Sequence, residues 1–109
     1  MVTIAEFASV DIRVARVLEV DEIPGARSPL YKLKLDVGEL GVREVAAGIK
    51  NYYTKEQLLG KTVLVVTNLD SKNIAGFVSQ GMILAVDTDS GISLIVPDSD
   101  AVKPGTRIR

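Results

Sequence analysis

Tyr31-Lys32-Leu33-Lys34-Leu35-Asp36-Val37 alternates apolar and charged residues without a break, the clearest period-two run in this 109-residue chain. A strand sends successive side chains to opposite faces. The run therefore predicts a buried face of Tyr31, Leu33, Leu35 and Val37 and a solvated face of Lys32, Lys34 and Asp36. Working outward, Gly38 to Gly41 supplies a turn, and Val42 to Ile49 returns as the next strand. Upstream, Ile12 to Ile23 reads as a long strand rich in β-branched residues, but Val14 and Val17 fall on opposite faces. A one-residue slip of that kind signals a bulge or a strong bend.

Two stretches have capping-box spacing, in which a Thr hydroxyl accepts from an early helix N–H and a Glu or Gln reaches back. Thr3-Ile4-Ala5-Glu6 predicts a short helix ending before Asp11. Thr54-Lys55-Glu56-Gln57 predicts another, with Gly60 suited to the left-handed residue that closes it. Lys61 to Leu69 reads as a strand whose Thr62 to Thr67 segment is apolar enough to be buried on both sides. Asp70 to Gln80 reads as a loop. Met82 to Asp87 and Ile92 to Val96 follow as strands joined by a turn ending in Ser90-Gly91. Lys103-Pro104-Gly105 then turns into a final short strand, Thr106 to Arg109.

Three meandering strands, a short helix and further strands is the order of an OB-fold. The expected fold is all-β: a five-stranded Greek-key barrel with one short helix between strands three and four. A short N-terminal helix and a C-terminal strand extension complete it. No linker or repeat interrupts the sequence, so residues 1–109 are expected to form one domain. Barrels of this kind bind oligonucleotides with the face of strands two and three and with the loops after strands one and four.

Composition narrows the chemistry. Thirteen Lys and Arg against fourteen Asp and Glu give a net charge of −1, which excludes a basic tail that holds nucleic acid by bulk charge. No His removes imidazole bases and histidine metal ligands, and no Cys removes thiol nucleophiles and thiolate zinc sites. Asp87 with Asp89 and Asp98 with Asp100 lie beside turn residues, where Asp is favoured for local backbone bonds, so turns are expected rather than a metal site. Ser79 and Thr54 have no histidine partner. The expectation is a chain without catalysis, metal or cofactor. Met1 to Phe7 lacks a basic segment followed by an apolar stretch. The longest apolar run, Met82 to Val86, falls far short of the roughly 18 residues of a spanning helix. A cytoplasmic protein without membrane contact is expected.

Charge is sorted along the chain. Met1 to Ala26 and Asn73 to Asp100 are acidic, whereas Arg27 to Lys72 carries eight bases against Asp36, Glu39, Glu44, Glu56 and Asp70. That basic block covers the second and third strands and both binding loops of an OB barrel, so a positive stripe attracting phosphate is expected there. Arg27, Lys32, Lys34 and Lys72 are its candidate phosphate contacts. Asn73, Ser79 and Gln80 offer donors and acceptors of the kind that read base edges, and Phe77 or Met82 suits stacking against a base. The ordinary alternatives are a solvated strand face for the lysines, a barrel-end plug for Phe77 and Met82, and a satisfied turn for Ser79.

The stretch Ile74-Ala75-Gly76-Phe77-Val78-Ser79-Gln80-Gly81-Met82-Ile83-Leu84-Ala85 resembles the signature of the small tRNA-binding OB domain. That domain is appended to many bacterial methionyl-tRNA synthetases and to the endothelial-monocyte-activating-polypeptide family, and it also occurs as a free dimeric protein. Phe7 to Val14, Val45 to Ile49, Tyr53 to Gly60, Val66 to Leu69, Pro97-Asp98 and Val102 to Gly105 extend the resemblance over nearly the whole chain. Ala26-Arg27-Ser28-Pro29-Leu30-Tyr31-Lys32-Leu33 resembles CsaA, the free-standing relative linked to protein export and chaperone activity. Synthetase-type domains tend to carry His-Pro-x-Ala-Asp-Lys-Leu there. The second loop, Ser79-Gln80-Gly81-Met82, is similar to the tRNA-binding branch instead. The resemblance implies tRNA as partner, a homodimer, and Ser79 and Met82 at positions implicated in tRNA contact. Asn68 and Gln80 match signature positions with a structural role open to them. Unfolded preproteins and methionyl-tRNA synthetase are the alternative partners it implies.

Overall fold

Both capping boxes form. In the computed structural model, which describes residues 1–109, Thr3 caps α1 (Ile4–Ala8) and Thr54 caps α2 (Lys55–Leu58). In each, the Thr hydroxyl accepts from the third helical N–H, and Glu6 or Gln57 returns a bond to the Thr backbone N–H. Each cap contributes about 1 kcal/mol to a helix too short to hold itself. Gly60 closes the second helical turn with φ of +80°.

The strands are β1 (Ile12–Glu22), β2 (Tyr31–Asp36), β3 (Val42–Ala47), β4 (Thr62–Val66), β5 (Lys72–Ile74), β6 (Phe77–Ser79), β7 (Met82–Ile83), β8 (Ala85–Thr88) and β9 (Gly91–Leu94). A five-stranded sheet in the order β3-β2-β1-β4-β7 curls into a nearly closed barrel of the OB type. β1 serves two neighbours in turn: its first half pairs with β4, its second with β2. β1 does carry a bulge, but at Leu18, where register jumps from Val17↔Leu35 to Glu19↔Lys34, beyond the Val14–Val17 interval. Val14 stays on the opposite face from the core and is buried where the C-terminal residues Gly105 and Thr106 bond to it. The extra residue bends the strand so that one run serves two walls of the barrel.

The alternation in β2 is realised. Tyr31, Leu33, Leu35 and Val37 are buried and Lys32, Lys34 and Asp36 are half-exposed. The buried set packs with Ala15, Val17, Val45, Ile49, Leu58, Val63, Val65 and Leu94 into one core. Each such side chain contributes about 1.5–3 kcal/mol of apolar burial.

Three segments differ from expectation. Residues 70–80 are not an open loop: β5 and β6 form a hairpin of their own. Its turn is Ala75-Gly76, both with positive φ (51° and 85°), the primed geometry that matches strand twist. Met82 to Asp87 is not one strand, because Leu84 changes partners. Its N–H donates to the Leu64 carbonyl of the barrel, while its own carbonyl accepts from Ile95 beside the β8–β9 hairpin. The C-terminal segment is an isolated bridge, Arg13↔Arg107, rather than a strand. Its bonds run from Gly105 to Val14, Val14 to Thr106 and Ile108 to Ile12, and from Arg16 onward that edge of β1 belongs to β2. No helix is long and apolar enough to cross a membrane.

Asp11 joins the chain ends to the barrel. Its carboxylate accepts from Arg13 Nε at 2.8 Å and from the Thr67 hydroxyl at 2.8 Å, and lies 3.4 Å from Arg107 Nε. Arg13 also reaches the Gly105 carbonyl, with Glu39 3.8 Å away, and Arg107 donates to the Ala8 carbonyl. The Arg13 hydrogen bond, aided by Thr67 and Arg107, holds the Asp11 carboxyl below the usual carboxylate range despite partial burial. A depressed folded-state pKa stabilises above the unfolded value of about 3.9, and the contribution is lost as pH falls through the folded value. Asp11→Asn should therefore cost about 1–3 kcal/mol in urea unfolding at neutral pH. The deficit should narrow as pH drops below about 4. A deficit independent of pH would contradict this role.

Candidate nucleic-acid interface

The β5–β6 hairpin stands beside the barrel because side chains stitch it there. β3 is the edge of the five-stranded sheet, so the N–H groups of Glu44 and Ala46 have no strand to meet. Ser79 Oγ accepts from Ala46 N at 2.9 Å, and Gln80 Oε1 accepts from Glu44 N at 3.0 Å, while Gln80 N donates to the Glu44 carbonyl at 2.8 Å. Gly81 follows directly under β4, where a Cβ would lie 2.6 Å from the Val66 carbonyl oxygen. No other residue fits there without moving backbone.

Held this way, the hairpin tip faces the loop after β1. The Cβ of Ala75 lies 3.9 Å from where a side chain on Gly25 would begin. Two depressions meet at Ala75. One is a cleft of about 490 Å³ lined by Arg27, Ser28, Leu30, Lys72 and Asn73. The other is a groove of about 530 Å³ containing Lys32, Glu44, Phe77 and Gln80.

The candidate residues therefore separate. Arg27, Lys72 and Asn73 share the cleft. Arg27 and Lys72 are exposed, and neither is within ion-pair distance of a carboxylate. Asn73 uses Oδ1 to accept from Gly76 N and leaves its amide N–H groups outward of the turn bond. Lys32 and Gln80 belong to the groove. Lys34 stands farther along β2. Ser79 is only 6% exposed, and its hydroxyl also donates to the Gly81 carbonyl, so it acts inside the barrel wall. Met82 is 49% exposed but lines a separate apolar dip of about 210 Å³ with Ala46, Ile49 and Ile92.

The strand-two face is not the bare positive stripe that counting along the chain suggests. Register sets Glu19 opposite Lys34, Asp21 opposite Lys32, and Glu44 on the other side of Lys34. Lys34 Nζ lies 2.9 Å from Glu19, and Lys32 Nζ 3.8 Å from Glu44. The Glu19 hydrogen bond raises the Lys34 pKa, keeping the ammonium charged but locally neutralised. Glu22, at the end of β1, is likewise held between Lys50 and Lys55, and the Lys50 hydrogen bond lowers its pKa. Among the four candidate cations, Arg27 and Lys72 are the two without a carboxylate partner. Counting along the chain includes Glu44 and leaves Glu19 outside the block, but it does not show that either pairs with a β2 lysine, because that depends on cross-strand register. Asn68, another signature position, bonds Asp11 N and the Ser9 carbonyl and belongs to the framework.

Comparison with known proteins identifies the family of the fold. The family model described as "Putative tRNA binding domain" matches residues 12–107. Methionine–tRNA ligase of Thermococcus kodakarensis is 44% identical over 108 residues, 99% of this chain, and the chain spans 14% of that enzyme's length. Among solved structures, the CsaA chaperone protein of Picrophilus torridus superposes with a TM-score of 0.93 at 36% identity, over 100% of both chains. A methionyl-tRNA-synthetase-related protein of Pyrococcus horikoshii gives a TM-score of 0.88 at 30% identity, over 100% of this chain and 98% of that one. With nearly the whole barrel inside the matched region, the chain belongs to the tRNA-binding domain family.

Proposed function

We propose that this chain is a non-catalytic tRNA-binding module that recognises the shape and backbone of folded tRNA. The observation that carries the reading is the pair Arg27 and Lys72, cations without carboxylate partners lining one cleft between the two loops. Phosphate contacts of that kind position an RNA and make affinity salt-dependent, because each neutralised phosphate releases counterions. Lys32 and Lys34 add less, since a phosphate must displace Glu44 or Glu19 to reach them. Ser79, Gln80 and Gly81 set the position of the hairpin, and through it Lys72 and Asn73. The likeness to a segment of methionine–tRNA ligase supports a partner role beside such a synthetase.

Replacing Arg27 and Lys72 together by Ala should weaken tRNA binding and lower the slope of log affinity against log salt by about 2, one per lost contact. Lys34→Ala should lower that slope by well under 1. An unchanged slope in the double variant would overturn the placement.

A net charge of −1 calls for two copies acting together, because one cleft offers few phosphate contacts. α1 has no buried residue, and Ile4 and Phe7 are 85% and 45% exposed beside a groove of about 510 Å³ completed by Val10 and Ile108. A homodimer covering this face is the reading that its apolar character supports. The same exposed face, with the whole-chain likeness to CsaA chaperone structures, supports a second reading in which unfolded preproteins bind there. Phe7→Glu separates the two. Sedimentation should show a wild-type dimer and a Phe7→Glu monomer with weakened tRNA affinity. A monomeric wild type whose suppression of aggregation resists saturating tRNA and disappears in Phe7→Glu would favour the second reading.

A further inference from the structure

We propose that the groove between the β1–β2 loop and the hairpin is a slot for a single unpaired guanine base of RNA. Ile23 and Pro24 line it from the loop, Phe77 from the hairpin, Lys32 and Glu44 from the sheet, and Gln80 from the stitch. Apolar and aromatic surface beside a short row of polar groups suits a planar heterocycle, whose faces need apolar contact and whose edge needs hydrogen bonds. At about 530 Å³ the opening lies within the usual range of small-ligand sites.

Pairwise contacts tie the polar groups of the groove to Glu44. Gln80 Oε1 is committed to the Glu44 N–H, which fixes the amide orientation and leaves the Nε2 hydrogens as donors. Lys32 Nζ lies 5.5 Å from the Phe77 ring centroid and 3.8 Å from the Glu44 carboxylate, a second donor beside an acceptor. The other carboxylate of the groove, Glu22, is occupied by Lys50 and Lys55. Two carboxylate oxygens next to cationic and amide donors match a ligand edge with two adjacent donors followed by an acceptor. Guanine presents that edge as N1–H, the 2-amino group and O6. Adenine and cytosine present one donor group beside an acceptor, and uracil places its single N–H between two acceptors. Glu44 would take the two guanine donors while Lys32 or Gln80 donates to O6.

This slot rests on the RNA-binding reading and adds to it what the protein reads once phosphate contacts have positioned the strand. Fluorescence anisotropy with labelled heptauridylate and its derivatives bearing one central guanine, adenine or hypoxanthine tests it, with tRNA measured in the same buffer. The guanine oligomer should bind about tenfold tighter than the all-uridine and adenine oligomers. Hypoxanthine, which lacks the 2-amino group, should recover only part of that gain. Glu44→Gln should abolish the guanine preference. The oligomer series tests the slot on the unaltered protein, independent of how well the variant folds. Equal affinity for all four oligomers with tRNA still bound overturns the slot alone. A guanine preference that persists in Glu44→Gln also overturns it. Absence of any RNA binding overturns the slot and the tRNA-binding reading together.

Discussion

The N–H groups of Glu44 and Ala46 lie on an edge of β3 that no strand covers, and the side chains of Gln80 and Ser79 satisfy them. The Ala46 donor is partly buried, where an unpaired N–H costs about as much as a lost hydrogen bond, so the stitch favours the closed barrel. It also decides where the hairpin stands. With Ser79 and Gln80 fixed against β3 and Gly81 pressed under the Val66 carbonyl, the β5–β6 tip meets the loop after β1 and both depressions exist. The residues that make the site possible are thus distinct from those with charge free to use.

Electrostatics follows from the same geometry. An antiparallel sheet places side chains of neighbouring strands on one face, so each lysine of β2 acquires carboxylates from β1 and β3. Exposed pairs of this kind contribute little stability, but they lower the local potential felt by an approaching phosphate. Arg27 and Lys72 escape because Arg27 lies in the loop between β1 and β2, outside any ladder, and the cross-strand partner of Lys72 is Ser79 rather than a carboxylate. A nearly neutral chain can therefore present a localised cationic cleft.

Much of the framework was legible in the sequence. Tyr31 to Val37 show their buried face by alternation and Thr3 and Thr54 their helices by capping spacing, while the opposite facing of Val14 and Val17 pointed to a bulge in β1 that lies instead at Leu18. The hairpin was not legible: its strands are three residues each, and its turn uses Ala75 where Gly or Asn is usual. Nor was the break at Leu84, since a change of hydrogen-bond partner is a tertiary event with no local mark. In the site, Arg27, Lys72 and Asn73 were identifiable as polar loop residues. The inward turn of Ser79, the separation of Met82 and the pairing of Lys34 with Glu19 all depend on register between distant segments.

RNA held at the cleft between the two loops, as proposed, and RNA held along the lysines of β2 would shield different lysines. Lysine acetylation footprinting by mass spectrometry, with and without saturating tRNA, measures this residue by residue on the unaltered protein. The account predicts strong protection of Lys72 and little change at Lys34. Protection of Lys34 with Lys72 left fully reactive would contradict it.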